Sequence, residues 1–133
     1  MAFPSLFIAE PQIFFFVFFD SDSLSNTTNL SWTNYTWDPD TQLITYYPKK
    51  PIPNTKTADS PSVVLYNNKI FLFHTGNEKN LWYNTYYNGN WIGDKFLYLP
   101  NSFRIKNGPC AIVYKNILYV FFTVQDKVGR AHV

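Results

Sequence analysis

Aromatic residues beside polar turns are the part of this sequence whose residue types could do chemistry. Trp82 and Tyr83 follow the polar turn 77–80 after one leucine, and Trp91 follows the turn 88–90. The face of an indole ring packs against the apolar C–H side of a pyranose, while nearby amides and charged groups hydrogen-bond hydroxyls. The pattern therefore predicts a sugar-binding surface at the ends of the segments that carry these residues.

The predicted set of ligand-binding residues also contains two charged side chains and two aromatic residues from earlier in the chain. Glu78 and Arg104 are expected to hydrogen-bond hydroxyls, while Trp82 or Trp91 stacks against the ring. The complete set is Trp82, Tyr83, Trp91, Glu78, Arg104, Trp32 and Trp37. The alternative role for each tryptophan is packing between sheets. His74 ends an apolar segment, where a place in the core or at its rim is the usual role.

Catalysis has little support in the residue pattern. Most of the nine acidic residues lie among turn-forming residues, where turn formation and solvation are their ordinary roles. The two arginines, Arg104 and Arg130, are too few for the cluster that holds a sialic acid carboxylate, and no glycine-rich phosphate loop occurs. We predict that the protein is not an enzyme. A glycoside-acting enzyme stays open as an alternative, because the number of carboxylates does not exclude a catalytic pair.

Charge and cysteine content exclude further classes. A net charge of +2 is too weak for the basic footprint of a nucleic-acid binder. The single cysteine, Cys110, excludes an intrachain disulfide, and His74 and His132 belong to no metal-binding motif, so we predict neither metal nor cofactor. The apolar run 13–19 is too short to span a bilayer and lacks the flanks of a signal peptide. We expect a mature soluble chain with no membrane span.

The chain repeats one pattern three times, each time beginning at a proline. Each copy has an apolar stretch, a short turn and a second, stronger apolar stretch; the prolines are Pro4, Pro61 and Pro109. Ile13, Ile70 and Ile117 are aligned as the start of the second stretch. In the first two copies a third stretch follows, then a turn and a fourth stretch, at 42–47 and 95–99. The predicted units are about 3–59, 60–107 and a partial 108–133, in one repeat domain, with the extra residues of the first unit in loops at 20–28 and 48–60.

These stretches predict strands and almost no helix. They are short, rich in Phe, Tyr, Val and Ile, and separated by Asn, Gly, Pro and Asp. The second strand of each unit is apolar on both faces, as 13–19 shows, so we expect other sheets to cover it on both sides. Four-stranded antiparallel blades of a β-propeller provide that arrangement, whereas a β-sandwich leaves one face of each sheet wet.

One part of the repeat resembles a blade of a known repeat type. The residues SPSVVLYNNKIFLF at 60–73, followed by NLWY at 80–83 and GNW at 89–91, are similar to a blade of the propeller lectins, the tachylectin-like and the fungal or bacterial fucose-binding and related sugar-binding families. The resemblance covers 60–99 well, 3–47 more loosely and 108–133 as a partial unit. It implies glycans as partners, bound at several equivalent sites between blades.

The number of units predicts self-association. About two and a half blades cannot close a ring of ~4 to 8 blades. We therefore expect a homo-oligomer in which copies complete one another. The alternatives are that the chain is a fragment of a longer protein, and that its blades are a non-catalytic scaffold or protein-interaction module of a toxin or surface protein.

Overall fold

Twelve strands in three antiparallel sheets make up this computed structural model, which describes residues 5–10, 13–19 and 28–125, with side chains from residue 28 onward. Within these ranges the one helical segment is a 3-10 turn at Pro100–Ser102. The all-β class predicted from the sequence is confirmed. No described helix has the length and apolar character that crossing a membrane requires.

Sheet 1 is built around one long central strand. Its strands are β1 (Ser5–Glu10), β2 (Ile13–Phe19), β3 (Thr28–Asp38), β4 (Leu43–Tyr46) and β5 (Lys50–Thr57). The first three strands are adjacent in order. The edge of β3 opposite β2 is shared, because β5 pairs with its first half and β4 pairs with its second half. Sheet 1 therefore has five strands where four were expected, because one long strand pairs with two shorter ones along the same edge.

Sheets 2 and 3 begin with the same kind of hairpin. Sheet 2 contains β6 (Ser62–Tyr66), β7 (Lys69–Thr75), β8 (Leu81–Tyr87), β9 (Asn90–Trp91) and β10 (Lys95–Leu97), and sheet 3 contains β11 (Ile105–Tyr114) and β12 (Ile117–Val124). In sheet 2, β7 pairs with β6 and β8, and both β9 and β10 pair with β8. Among the described residues, sheet 3 has two strands.

The first hairpins of sheets 2 and 3 are equivalent at an interval of 48 residues. The turn 67–68 joins the paired residues Tyr66 and Lys69, and the turn 115–116 joins Tyr114 and Ile117. All four turn residues have positive φ, between 50° and 64°, which is the geometry of two-residue hairpin turns. Ile117 therefore matches Lys69, and the alignment of Ile117 with Ile70 was wrong by one residue.

Two apolar clusters join the three sheets. Between sheets 1 and 2, Leu30, Trp32 and Ile52 pack against Val63, Ile70 and Leu72. Between sheets 2 and 3, Phe73 and Leu81 pack against Ile105 and Ala111, with Leu118, Val120 and Phe122 around them. Both faces of β7 are therefore covered. The first strands of successive sheets are also neighbours, since β1 contacts β6 and β6 contacts β11.

Four expectations about the elements have different outcomes. The segment 48–60 was expected to be a loop, and this was wrong, because β5 lies there. The second strand of the third unit, β12, was expected to be covered on both faces, but exposed and half-buried residues alternate along it because no described sheet lies on its outer side. A third strand of the third unit would fall beyond residue 125, outside the described residues, as does most of the predicted loop 20–28.

Candidate functional site

A cavity of about 380 Å³ opens between sheets 1 and 2. We call it the inter-sheet cavity; its lining residues are Asn54, Lys56, His74, Gly76, Asn77, Trp82 and Asp94. Sheet 1 contributes the two residues from β5, and sheet 2 contributes the others. The volume falls in the range of small-molecule sites, which is roughly 300–1,000 Å³. One aromatic wall faced by several amides and charges matches the residue types that the sequence predicts for sugar binding.

A hydrogen-bonded histidine–aspartate pair lies at the side of this cavity. His74 is 1% exposed, and its Nε2 lies 2.7 Å from Oδ1 of Asp94, which precedes β10. Because an ionised carboxylate only accepts hydrogen bonds, Nε2 carries the proton in this contact. The Nδ1 atom of His74 is buried and has no hydrogen-bond partner among the described residues. The histidine thus fixes the direction of the Asp94 carboxylate, which remains partly accessible from the cavity.

Asn84 links the part of the cavity that comes from β5 to the part that comes from the segment before β10. It is fully buried in β8, and its Oδ1 accepts hydrogen bonds from the backbone N–H groups of Thr85 and Gly93, at 2.8 and 2.9 Å. Its Nδ2 donates to Oγ1 of Thr55, at 3.0 Å. Thr55 lies between the cavity residues Asn54 and Lys56, and Gly93 directly precedes Asp94. One amide therefore holds both polar walls in position.

Replacing Asn84 by alanine is expected to lower the free energy of unfolding by about 2 kcal/mol, because the buried N–H of Thr85, the N–H of Gly93 and the Thr55 hydroxyl each lose a partner. Chemical denaturation monitored by tryptophan fluorescence measures the change. Asn90→Ala is the control, since Asn90 is exposed and makes only a contact within its own turn, at 3.4 Å; we expect a change of less than about 0.5 kcal/mol. Equal losses in the two variants would contradict the bracing role of Asn84.

Trp82 forms the aromatic wall of the cavity and is held on two sides. Its Nε1 donates to Oδ1 of Asn80 at 3.1 Å, and its ring packs against Phe96 with centroids 5.3 Å apart. A Cβ atom at position 76 would lie 2.6 Å from Nε1, so glycine at this position allows the close approach of the indole. The ring is thus fixed before any ligand arrives.

A second cleft, of about 180 Å³, lies beyond the turn 76–80. Glu78 and Arg104 line it together, beside the aromatic rings of Phe96 and Tyr98. The sequence predicted that Glu78 and Arg104 act at a common site, and they do line one cleft, but Trp82 lines the other cavity. The turn separates the two: Asn77 faces the first and Glu78 the second.

One basic residue in each cleft is related to the other by the 48-residue interval. Lys56 lies five residues before Pro61, and Arg104 lies five residues before Pro109. The backbone around them is also equivalent. Ala58 donates its N–H to the carbonyl of Thr75, and the residues 48 positions later, 106 and 123, are also paired. Each cleft therefore receives one basic side chain from the segment that leads into the next sheet.

Two of the predicted tryptophans pack with each other instead of lining a cleft. Trp32 is buried, and its ring lies 6.3 Å from that of Trp91 and 5.0 Å from that of Tyr86. Lys50 places Nζ 4.8 Å from the centroid of Trp32. These aromatic residues close the contact between sheets 1 and 2, which is the packing role that the sequence left open for them.

The remaining predicted aromatic residues also lie away from the two clefts. Tyr83 stacks on Phe71 and Phe73, with centroids 6.2 and 6.0 Å apart, on the side of sheet 2 that faces sheet 3. Trp37 is exposed near the end of β3 and lines neither described cleft. Nearby, Tyr35 packs on Tyr46, and burial, followed by the influence of Tyr46, raises the pKa of Tyr35.

Sequence reasoning missed the polar half of the inter-sheet cavity. Lys56 and Asn54 lie in a segment expected to be a loop, and Asp94 was counted among turn acids. The one available signal was His74, a polar residue at the end of the apolar run 70–73.

Comparison with family models, curated proteins and solved structures gives no match for this chain.

Proposed function

We propose that the protein is a carbohydrate-binding protein that holds sugars between adjacent sheets arranged as blades of a β-propeller. The observation that carries the proposal is the inter-sheet cavity, which Trp82 lines together with Asp94, Lys56 and two asparagines. An aromatic face with a small number of directed polar groups is the combination that a pyranose requires. The adjacency of the first strands of all three sheets supports the radial arrangement.

Each side chain has a distinct part in the proposed binding mode. The apolar face of the sugar packs on Trp82, whose orientation is already set by Asn80 and Phe96. Asp94 accepts from hydroxyl groups, and its bond to His74 prevents the carboxylate from turning away. Lys56 donates to ring or hydroxyl oxygens. Because these groups are positioned in advance, little conformational entropy is lost on binding.

Binding without catalysis is part of the proposal. Hydrolysis of a glycoside by the common mechanisms uses two carboxyl groups on opposite sides of the scissile bond. Of the described residues that line the inter-sheet cavity, Asp94 alone carries a carboxylate. His74 also lines the cavity, but it is 1% exposed and its Nε2 is bonded to Asp94, so it does not replace the second carboxyl group.

Several weak sites acting together are proposed to give useful affinity. The second cleft also has a basic residue from the segment that leads into the next sheet, Arg104, where the inter-sheet cavity has Lys56. Glu78 is its hydrogen-bond acceptor for hydroxyl groups. Sugars are typically bound weakly at any one such site, and linked sites raise the overall affinity without new contacts. Further copies of the chain would complete the ring and multiply the sites.

A glycan array probed with the labelled chain tests the function directly. We expect sugar-dependent signals that free monosaccharide competes away, followed by saturable binding in calorimetry. A scaffold that binds only proteins gives no sugar-dependent signal, and this result would overturn the proposal. Release of aryl alcohol from aryl glycosides would instead show an enzyme.

Trp82→Ala is expected to weaken binding of a sugar found in that screen by about tenfold, since loss of aromatic contact costs about 1–1.5 kcal/mol. Calorimetric titration measures the change. Trp37→Ala is the matched control, because Trp37 is also partly exposed but lines neither cleft. The same loss in both variants, or in neither, would place the sugar somewhere other than the inter-sheet cavity.

A further inference from the structure

Sheet 3 presents an unbroken apolar surface to solvent, which we call the outer face of sheet 3. In the register of β11 with β12, Cys110 lies opposite Phe121, Ile112 opposite Tyr119, and Tyr114 opposite Ile117. Since side chains alternate along a strand, these three pairs share one side of the sheet. All six residues are exposed, with Phe121 and Tyr114 each 57% exposed. A contiguous patch of this kind marks an interaction site.

The structure itself indicates what covers such a face. At the interval of 48 residues, Ile112, Tyr119 and Phe121 correspond to Val64, Phe71 and Phe73 of sheet 2. Those three are packed against sheet 3, and Phe73 is only 3% exposed. The equivalent surface in sheet 2 is therefore covered by the next repeat. The opposite face of sheet 3, with Ala111 and Val120, is already in contact with sheet 2.

The residues of sheet 1 at the positions that would meet this face in a second copy are apolar. The residues of sheet 3 that contact sheet 2 are Leu118 and Val120, and they correspond to Ile70 and Leu72, which face sheet 1. In the register of β1 with β2, Phe14 and Phe16 occupy the positions of Ile70 and Leu72. The sequence is thus apolar at the corresponding positions of sheet 1.

We infer that the outer face of sheet 3 binds sheet 1 of a second copy of this chain, head to tail. In this contact the outer face of sheet 3 takes the role that sheet 2 has towards sheet 3 within one chain, and sheet 1 of the second copy takes the role of sheet 3. Such a contact joins two different surfaces of the chain. It gives a closed ring when a whole number of copies, each rotated by the same angle relative to the last, completes one full turn. The inference rests on the radial arrangement within the proposed function, but it does not depend on sugar binding.

Cys110 is a natural probe for the inference, because it is the only cysteine of the chain and lies on the outer face of sheet 3. We expect native mass measurement of the full chain at micromolar concentration to give a multiple of the 15.6 kDa chain mass. Iodoacetamide should then alkylate Cys110 at least tenfold more slowly in the assembly than in urea. A monomer with reactive Cys110 would overturn the inference. A monomer with protected Cys110 would also overturn it, because another part of the same chain would then cover the face.

Tyr119→Lys places a charge at the centre of the face and is expected to give the monomer mass with rapid alkylation of Cys110. Leu43→Lys is the control and should keep the assembled mass, because Leu43 is an exposed apolar residue of β4 that pairs with Asp38, and in the register of sheet 1 this position is on the opposite side from Phe14. Ile117→Lys replaces Tyr119→Lys if that variant does not fold. An assembly that survives these variants, or in which Cys110 reacts freely, forms through another surface and contradicts the inference. Glycan titration of the same samples is an independent readout, so loss of assembly and absence of sugar binding are separate results.

Discussion

Leu72→Ala is expected to reduce the free energy of unfolding by about 2–5 kcal/mol. Leu72 is completely buried in β7, where it packs in the cluster that holds sheet 2 against Leu30, Trp32 and Ile52 of sheet 1. Removing most of its side chain leaves a cavity between two sheets whose strands cannot easily move together. Urea unfolding followed by fluorescence gives the change from the shift in midpoint.

Leu43→Ala provides the comparison for this measurement. Leu43 is 67% exposed in β4, so the same chemical change should alter the free energy of unfolding by less than about 0.5 kcal/mol. A loss below about 1 kcal/mol for Leu72→Ala would mean that the site is not tightly packed. The cluster between sheets 1 and 2 would then be looser than described.

Gly108→Ala is expected to destabilise the protein by about 3 kcal/mol, at the upper end of the usual cost of overpacking. A Cβ atom at this position would overlap the carbonyl oxygen of Ser60, which belongs to the segment that leads into β6. The obstacle is main chain, so no side-chain rotation relieves it. The starts of β6 and β11 would have to separate, and the first strands of two sheets would lose their close contact.

Gly89→Asn is the control for the glycine substitution. Gly89 has a φ of 81° and open space around its Cα, so asparagine, which tolerates positive φ, should cost less than about 1 kcal/mol. Thermal unfolding of both variants, checked by circular dichroism, measures the difference. Wild-type stability in Gly108→Ala would show that β6 and β11 are further apart than described.

The strands that sequence reasoning predicted correctly are those with dense apolar runs. β7 and β12 are obvious because β-branched and aromatic residues fill them, and two-residue turns with asparagine separate each from its partner. β5 was missed because Pro51 and Pro53 interrupt it, and prolines usually indicate a loop. The structure accommodates both prolines because β5 pairs on one side only, so the lost N–H groups need no second strand.

The sequence predicted those site residues that a local pattern identifies, and it did not predict contacts between residues far apart in the chain. Trp82 was identified because it lies two residues after a polar turn. The pairing of His74 with Asp94 depends on β10 folding back along β8, twenty residues later in the chain. The contact of Asn84 with Thr55 crosses from one sheet to another. Such pairs depend on tertiary packing, and local patterns of residue types carry no information about them.

The equal spacing of the hairpins in sheets 2 and 3 has an evolutionary consequence. The stretch from Pro61 to Gly108 begins and ends at equivalent points of successive sheets, with one cleft-forming connection included. Tandem duplication of this stretch would add one sheet and one cleft with the same chain connections at both ends. The one new requirement would be that the Phe73 side of one copy of sheet 2 packs against the Leu72 side of the next.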